Sequence, residues 1–224
     1  MSAGYGTAGL GRALSRRDRI RLVETAYDAG IRYFDTAPLY GAGAAEDALG
    51  RALRGRDEVT LATKVGIVPP SLVGVALRRR AAGGRFGPAE IRAQLEGSLR
   101  RLRREAVDVL LLHEVDARAA NGALDMLDDL RREGKILRAG IATGAAQAVT
   151  ILATRIPDVV QLPARDPVDT TGAALVLHSA LVGRVGATAA RDLLRSVADA
   201  HPGAVVLIGS RSGEHIREAA DALG

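Results

Sequence analysis

Eight short apolar segments are spread through this chain of 224 residues, and most of them are followed by a stretch with helical periodicity. The predicted strands are residues 4–10, 32–35, 59–64, 107–113, 136–142, 159–161, 175–178 and 205–208. Eight strands alternating with about seven helices predict an α/β protein built as a compact (β/α)8 TIM barrel. A doubly wound open sheet is the alternative, but residues 9–12 lack the G-x-G-x-x-G spacing and the ribose-binding acid of that fold.

The predicted helices are marked by capping residues and by their apolar periodicity. The first lies between a Ser15 cap and Gly30, and the others cover residues 44–53, 88–104, 123–133, 145–154, 188–201 and, behind a Ser212 cap, the stretch to 223. Two stretches interrupt this pattern. Residues 65–87 are irregular and long for a connection, which predicts a functional loop or lid. Residues 163–172 contain two prolines and a glycine, so the helix between strands 6 and 7 is expected to be short or missing.

The bulk composition is that of a globular protein. With 224 residues, 47% of them apolar, residues 1–224 are expected to form a single barrel domain around one core. The sequence contains no cysteine, which excludes disulfides and thiolate ligands and suits a reducing compartment. No basic segment followed by an apolar run opens the chain, and no stretch approaches the roughly 20 apolar residues of a membrane span. We therefore expect a cytoplasmic protein without a membrane partner.

The chain is basic, with a net charge of +5 and a pI near 10.2. Its basic residues are spread over nearly every predicted helix, and only Lys64 and Lys135 of the 31 are lysines, which indicates a compositional arginine bias. Aromatic residues make up 3% of the chain, too few for base-stacking platforms. The sequence thus argues against a nucleic-acid partner, while arginines directed at a small anionic ligand remain an alternative to a solvated basic surface.

Polar side chains stand at the ends of three successive apolar strands. Asp35 ends the second strand, Tyr40 follows it across a proline turn, Lys64 ends the third strand, and His113 ends the fourth. In a barrel these strand ends converge on one face. A nearby ammonium lowers the pKa of a phenol, and a carboxylate holds that ammonium charged. A neutral histidine can orient a carbonyl oxygen, so the set predicts proton transfer to a carbonyl group with Tyr40 as the donor.

Each of these residues also has a structural interpretation. Asp35 alone could form a turn, Tyr40 could be a half-buried core aromatic, and His113 could be a satisfied structural histidine. Lys64 is harder to explain in this way, because a lysine that completes a buried strand needs a partner. A metal site is not expected, since no pair of the four histidines has ligand spacing with a third acid.

Four segments resemble signatures of the aldo-keto reductase family, in the order in which that family has them. They are Asp35 to Gly41, Ala62 to Gly66, Asp108 to His113 and Gly134 to Ile141. The resemblance covers most of the chain and implies that Asp35, Tyr40, Lys64 and His113 are the catalytic tetrad of that family. Residues 51–54 and the insert after Lys64 are similar to the branch that contains aldose and galactose 1-dehydrogenases.

The resemblance also implies NADPH or NADP held across the mouth of the barrel by the late strands. The carried-over cofactor residues are Thr143, Gln161, His178, Ser179, Leu181, Ser210, Arg211, Ser212 and His215. Gln161 corresponds to the glutamine that binds the nicotinamide carboxamide, and His178 stands where the family has a stacking tyrosine. The helix N-terminus at Ser212, with Arg211 beside it, is expected to bind the cofactor phosphates.

The sequence departs from the family pattern in the cofactor half. Ala142 and Thr143 replace a Ser-Asn pair, so at most Thr143 contributes to the carboxamide, and Ala219 replaces an asparagine that commonly touches adenine. The chain ends at Gly224 without the C-terminal loop that walls the substrate pocket in many relatives. We therefore expect weakened cofactor binding and an open site, or one that is closed by residues 65–87.

The resulting hypothesis is an NADP-dependent oxidoreductase that reduces an aldehyde or ketone to an alcohol, or catalyses the reverse reaction. Its partner is a small carbonyl or alcohol substrate of undetermined identity, and its oligomeric state is left open. Two other classes of function stay open. One is a nicotinamide-binding sensor or partner protein that turns over slowly, and the other is a non-redox lyase or isomerase that uses Tyr40 and His113 as acid and base.

Overall fold

Eight parallel strands, each hydrogen-bonded to the next in chain order and the last to the first, close into a barrel. The structure, a computed structural model, describes residues 2–11, 13–67, 69, 85–166, 168–181 and 187–224. The strands are β1 (Ser2–Gly6), β2 (Tyr33–Asp35), β3 (Thr60–Val65), β4 (Val107–His113), β5 (Ile136–Ala142), β6 (Val159–Pro163), β7 (Ala174–His178) and β8 (Val205–Ile208). The predicted (β/α)8 barrel is confirmed.

Helices surround the barrel on its outer side. They are α1 (Arg16–Asp28), α2 (Ala44–Ala52), α3 (Pro88–Leu102), α4 (Ala117–Arg132), α5 (Ala145–Leu152), α6 (Ala187–Ala200) and α7 (Gly213–Leu223). Between β6 and β7 the described residues contain no helix, as expected from the prolines there. The predicted lid at 65–87 lies largely outside the described residues. Within the described part of the chain, no helix is both long and apolar enough to cross a membrane.

Two predicted boundaries were wrong. The first strand ends at Gly6, and a 3-10 helix from Thr7 to Gly11 follows it. This turn allows the backbones of Gly11 and Gly41 to touch, since a Cβ at Gly11 would lie 2.6 Å from the Gly41 nitrogen. Helix α4 begins six residues before its predicted start, because the side chain of Asp116 caps it by accepting a hydrogen bond of 2.8 Å from the Ala119 backbone.

The barrel interior is packed solid in its middle. The inward side chains of Tyr33, Ala62, Val109, Leu111, Ala142, Val159, Val176 and Leu207 form one buried cluster. Gly4 leaves room for this layer, since a Cβ there would lie 2.7 Å from Leu207 and 3.2 Å from Tyr33. The outward faces of the strands and the inner faces of the helices form the larger second part of the core. The packed layer separates the two ends of the barrel from each other.

A buried carboxylate ties β3 to two helices. Glu46 of α2 is fully buried and accepts hydrogen bonds from the Thr63 hydroxyl at 2.7 Å and from Arg101 Nε of α3 at 2.6 Å. The Arg101 side chain is 27% exposed. Because Thr63 directly precedes Lys64, this contact fixes the strand end that carries the lysine.

Replacing Arg101 with Met is expected to lower the free energy of unfolding by about 2 kcal/mol, because Glu46 would keep a buried charge without its cation. This is less than the full effect of breaking a buried pair, since the guanidinium is partly solvated. Urea unfolding measures the change. In the matched control Arg132→Met, which breaks an exposed pair with Asp129, we expect a change below about 0.5 kcal/mol. Equal effects in the two variants would contradict the assignment.

Candidate active site

The barrel places the four predicted catalytic side chains at the carboxyl ends of adjacent strands. Asp35 ends β2, Lys64 lies near the end of β3, and His113 ends β4, while Tyr40 lies on the turn that follows β2. All four line one open cleft of about 950 Å³ at that end of the barrel. The structure therefore brings together residues that are up to 78 positions apart in the sequence.

Asp35 and Lys64 form a buried ion pair at the base of the cleft. Lys64 Nζ donates to both carboxylate oxygens of Asp35 at 2.5 Å and to the Thr36 carbonyl oxygen at 3.1 Å. Both residues are almost completely buried, at 2% and 3% exposed. Burial by itself would lower the pKa of Lys64, but the charge and hydrogen bond of Asp35 together with Tyr40 raise the pKa above its ordinary value. Lys64 is thus held as a cation.

Gln161 of β6 completes the surroundings of this carboxylate. Its amide nitrogen donates to Asp35 Oδ2 at 3.0 Å, and the side chain is 2% exposed. The two residues are 126 positions apart, and the contact was not part of the sequence prediction. One N–H of the amide is engaged with Asp35, so the amide oxygen and the second N–H remain for a ligand.

Tyr40 lies over this pair with its ring half-buried. Lys64 Nζ is 5.4 Å from the centre of the Tyr40 ring. Burial raises the pKa of Tyr40, and the charge of Lys64, which lowers it, does not compensate. The expectation of a net lowering by Lys64 is therefore corrected, because the sequence shows the cation but not the depth of the phenol. In this structure Tyr40 is a protonated phenol at neutral pH, with a cation beside it.

His113 contacts Tyr40 edge-on, with ring centres 6.2 Å apart and planes at 85°. Burial, together with the charges of Lys64 and His178, lowers the pKa of His113 to about 3. The imidazole is therefore neutral at physiological pH, as predicted. The pKa of His178 is also lowered, mainly by burial, and its Nδ1 lies 2.9 Å from the Ser179 hydroxyl.

The backbone turns sharply after both histidines. Glu114 and Ser179 have φ angles of 53° and 57°, in the left-handed region that residues other than glycine rarely adopt. Such conformations cost of order 1–3 kcal/mol and concentrate at functional sites. The two turns lie on the rim of the cleft, where they end β4 and β7.

The predicted cofactor residues fall into two groups. Six of the nine line the cleft, namely Gln161, His178, Ser179, Leu181, Ser210 and His215. Thr143, Arg211 and Ser212 are not among the lining residues. Thr143 is buried and its hydroxyl donates to the Val115 carbonyl at 3.1 Å. Ser212 caps α7 by accepting a hydrogen bond from the His215 backbone.

Several residues that line the cleft were missed in the sequence. Glu114 follows the β4 strand, and Thr188, Arg191 and Leu194 belong to α6, which stands at the side of the mouth. Apart from histidines, Lys64 and Arg191 are the cationic side chains among the described residues that line the cleft. Helical spacing places 188, 191 and 194 on one face of α6, but nothing in the sequence shows that this face meets the barrel mouth.

Sequence comparison places this chain in a known group of proteins. Residues 3–164 match the model of the Aldo/keto reductase family, and the chain belongs to that family. It is similar to D-threo-aldose 1-dehydrogenase of Pseudomonas sp., with 34% identity over 172 residues that cover 66% of this chain and 51% of that protein. L-galactose dehydrogenase of Arabidopsis thaliana is 29% identical over 171 residues, covering 70% and 49%. The chain thus spans about half the length of these curated relatives.

A solved structure gives the same grouping. An aldo-keto reductase from Klebsiella pneumoniae in complex with NADPH superposes with a TM-score of 0.70 at 25% identity, covering 99% of this chain and 84% of that chain. The predicted family is therefore confirmed. The similarity to aldose and galactose dehydrogenases also agrees with the branch that the sequence indicated.

Proposed function

We propose that this protein is an NADP-dependent oxidoreductase that interconverts a carbonyl compound and its alcohol, with Tyr40 as the proton donor for reduction. The observation that supports this most directly is the Asp35–Lys64 pair buried beneath Tyr40, with the neutral His113 beside the phenol. An ion pair this deep contributes little to stability compared with apolar packing, so a functional reason for its presence is reasonable. Membership of the family supports the same chemistry.

The cleft fits a nicotinamide dinucleotide in size and in its donors. The cleft volume of about 950 Å³ is within the range of small-molecule sites. Its lining includes glycines 6, 9 and 209, which have no side chain to fill the cleft. A Cβ at Gly9 would lie 3.3 Å from Arg211 Cγ, a tight contact that glycine avoids. We propose that the Gln161 amide oxygen accepts from the carboxamide, that His178 lies against the nicotinamide, and that Arg191 with Ser210 holds a phosphate. When bound, NADPH supplies the hydride for the carbonyl carbon.

The protein residues then handle the oxygen of the substrate. The neutral His113 donates a hydrogen bond that sets the direction of the carbonyl, and Tyr40 transfers its proton to the oxygen as negative charge develops there. Lys64 stabilises the phenolate that is left, because its charge is held beside the ring and is buried, so water screens it only weakly. Asp35 keeps the lysine protonated and fixed. In the oxidative direction the phenolate of Tyr40 is the base.

The pH profile follows from these states. With the pKa of Tyr40 raised and that of His113 lowered to about 3, neither group changes protonation between about pH 5 and pH 9. Carbonyl reduction needs protonated Tyr40, so kcat/KM for reduction should be flat in this range and fall above about pH 10. Alcohol oxidation should instead rise with pH. A limb near pH 6–7 that disappears in His113→Gln would contradict a neutral His113.

To test the proposal, the protein is titrated with NADPH and with NADH. A panel of aldehydes, ketones and sugar lactols is then added while the absorbance of the reduced nicotinamide is followed. We expect the protein to bind NADPH more tightly than NADH and to oxidise NADPH when a carbonyl compound is added. Tight binding without turnover over the whole panel would favour a nicotinamide-binding sensor or partner protein. Failure to bind either nucleotide would favour a lyase or isomerase that uses Tyr40 and His113.

A further inference from the structure

One buried carboxylate has no part in the proposed reaction. Glu46 lies in the first turn of α2, is fully buried, and is not among the residues that line the cleft. A charge that is taken out of water is costly even when it is paired, and apolar side chains of similar volume often give the same stability or more. The contacts of Glu46 indicate a reason for its presence other than stability.

The first of these contacts reaches the strand that carries Lys64. The Thr63 hydroxyl donates to Glu46 Oε1 at 2.7 Å, and both side chains are fully buried. Side chains alternate along a strand, and Ala62 and Lys64 face the barrel interior and the cleft, so Thr63 points outward to the helices. Glu46 therefore holds β3 from its outer side, at the residue directly before Lys64.

The backbone on the other side of Glu46 leads to Tyr40. The Ala45 backbone nitrogen donates to the Tyr40 carbonyl oxygen at 3.3 Å, and the Ala44 nitrogen donates to the Gly41 carbonyl oxygen at 3.1 Å. The chain from Tyr40 to Glu46 is thus one hydrogen-bonded turn that continues into α2. A shift of Glu46 therefore displaces the backbone that carries Tyr40.

Helix α3 fixes the second carboxylate oxygen. Arg101 Nε donates to Glu46 Oε2 at 2.6 Å. A Cβ at Gly43 would lie 2.5 Å from Arg101 Cδ, so the arginine side chain also lies directly against the turn that follows Tyr40. A Cβ at Gly50 would lie 2.4 Å from the Arg101 carbonyl oxygen, so the backbones of α2 and α3 are in close contact. Glu46 is therefore held from both sides.

We propose that Glu46 is a positioning residue that sets the distance between the Tyr40 phenol and the Lys64 ammonium. It does so by joining the turn that carries the phenol to the strand end that carries the ammonium. This inference rests on the proposed function. Lys64 Nζ lies 5.4 Å from the centre of the Tyr40 ring, and the attraction between a cation and a phenolate falls with distance. A displacement of about 1 Å by a remote change can lower a rate by about 10²-fold.

Two variants break the same contact from opposite sides. Thr63→Val removes the hydroxyl, keeps the shape of the side chain and changes no charge, whereas Glu46→Met removes the carboxylate and keeps its length. Each should lower kcat for carbonyl reduction by about tenfold, while the Kd of NADPH changes by less than about threefold. Thr63→Ser, which keeps the hydroxyl, should retain most of the activity. The double variant should lose no more than either single variant, since the contact is already broken.

The pKa of Tyr40 reports the same distance without turnover. Burial raises this pKa, the charge of Lys64 lowers it, and the charges of Asp35 and Glu114 raise it. Its titration is followed by ¹³C NMR of protein labelled at tyrosine Cζ, with the signal assigned by Tyr40→Phe. If Lys64 is displaced, its lowering effect weakens, so the pKa should be higher in both variants than in the unmodified protein. Loss of the Glu46 charge acting directly on the phenol would lower the pKa instead.

Asp108→Ala is the matched control. Asp108 Oδ2 accepts a 2.7 Å hydrogen bond from the Leu61 backbone, so it holds the same strand β3 near its opposite end, beyond the packed interior layer. This variant should lower Tm but leave kcat and the pKa of Tyr40 unchanged. An equal loss of kcat in Asp108→Ala would show that any weakening of β3 slows the reaction, and would overturn the proposal.

Three further results would overturn the positioning role of Glu46. They are an unchanged kcat in folded Thr63→Val or Glu46→Met, losses that multiply in the double variant, and a pKa of Tyr40 that stays the same or falls in Thr63→Val. Each single variant decides the question alone if the other does not fold. If the unmodified protein reduced no carbonyl compound, the proposed function would fail, and the pKa of Tyr40 in the variants would still decide whether Glu46 sets the distance.

Discussion

Tyr40→Phe is expected to lower kcat for NADPH-dependent carbonyl reduction by about 10²- to 10⁴-fold, the usual contribution of a positioned general acid. The variant keeps the ring that packs against His113 but loses the only proton that the proposed reaction uses. Binding of NADPH should change by less than about threefold, since the hydroxyl is proposed to meet the substrate and not the cofactor. Stopped-flow absorbance of the reduced nicotinamide and a fluorescence titration measure the two quantities.

The matched control for this variant is Tyr27→Phe. Tyr27 lies on α1, and its hydroxyl donates to Glu58 at the surface, far from the catalytic residues in the fold. Its kcat should equal that of the unmodified protein. Full turnover in Tyr40→Phe would remove Tyr40 from the mechanism, and equal losses in both variants would point to a general effect of losing a phenol.

Lys64→Met is expected to reduce both activity and stability. The change leaves Asp35 nearly fully buried with the Gln161 amide as its remaining side-chain partner among the described residues, and breaking a buried pair in this way typically costs about 3–5 kcal/mol. Reduction should slow markedly because no cation stabilises the Tyr40 phenolate. Urea unfolding measures the loss in unfolding free energy.

The double variant Asp35→Asn with Lys64→Met separates a charge effect from a packing effect. With both charges removed, no unpaired ion is left, and at least about half of the stability lost in Lys64→Met should return while activity stays low. If the loss of unfolding free energy in the double variant equals the sum of the losses in the two single variants, the pair does not act as a unit. Strong activity in Lys64→Met itself would contradict the role given to the cation.

The sequence predicted the fold well where the local pattern was unambiguous. The continuous apolar run of β4 ends on His113 in both the prediction and the structure. It could be predicted because a parallel strand that is buried on both faces is an uninterrupted run of apolar residues. The early start of α4 was missed because its first turns carry few large apolar residues, and only the Asp116 cap marks them. The convergence of Asp35, Tyr40, Lys64 and His113 was predicted because strand ends of a barrel meet on one face.

Other features depend on distances that no local pattern contains. The pKa of Tyr40 depends on how deep the ring lies, and the bond from Gln161 to Asp35 joins residues 126 positions apart. At most Thr143 of its pair was expected to contribute to the nicotinamide carboxamide, and in the structure its hydroxyl donates to the Val115 carbonyl.

Hydride transfer by this protein can be followed with NADPH that carries deuterium at the transferring C4 position. The protein is incubated with this nucleotide and a reducible aldehyde from the panel, and the alcohol is analysed by mass spectrometry. We expect one deuterium on the former carbonyl carbon for each nicotinamide oxidised, and we expect Tyr40→Phe to lose this rate of incorporation. Alcohol without deuterium, or unchanged incorporation in Tyr40→Phe, would contradict it.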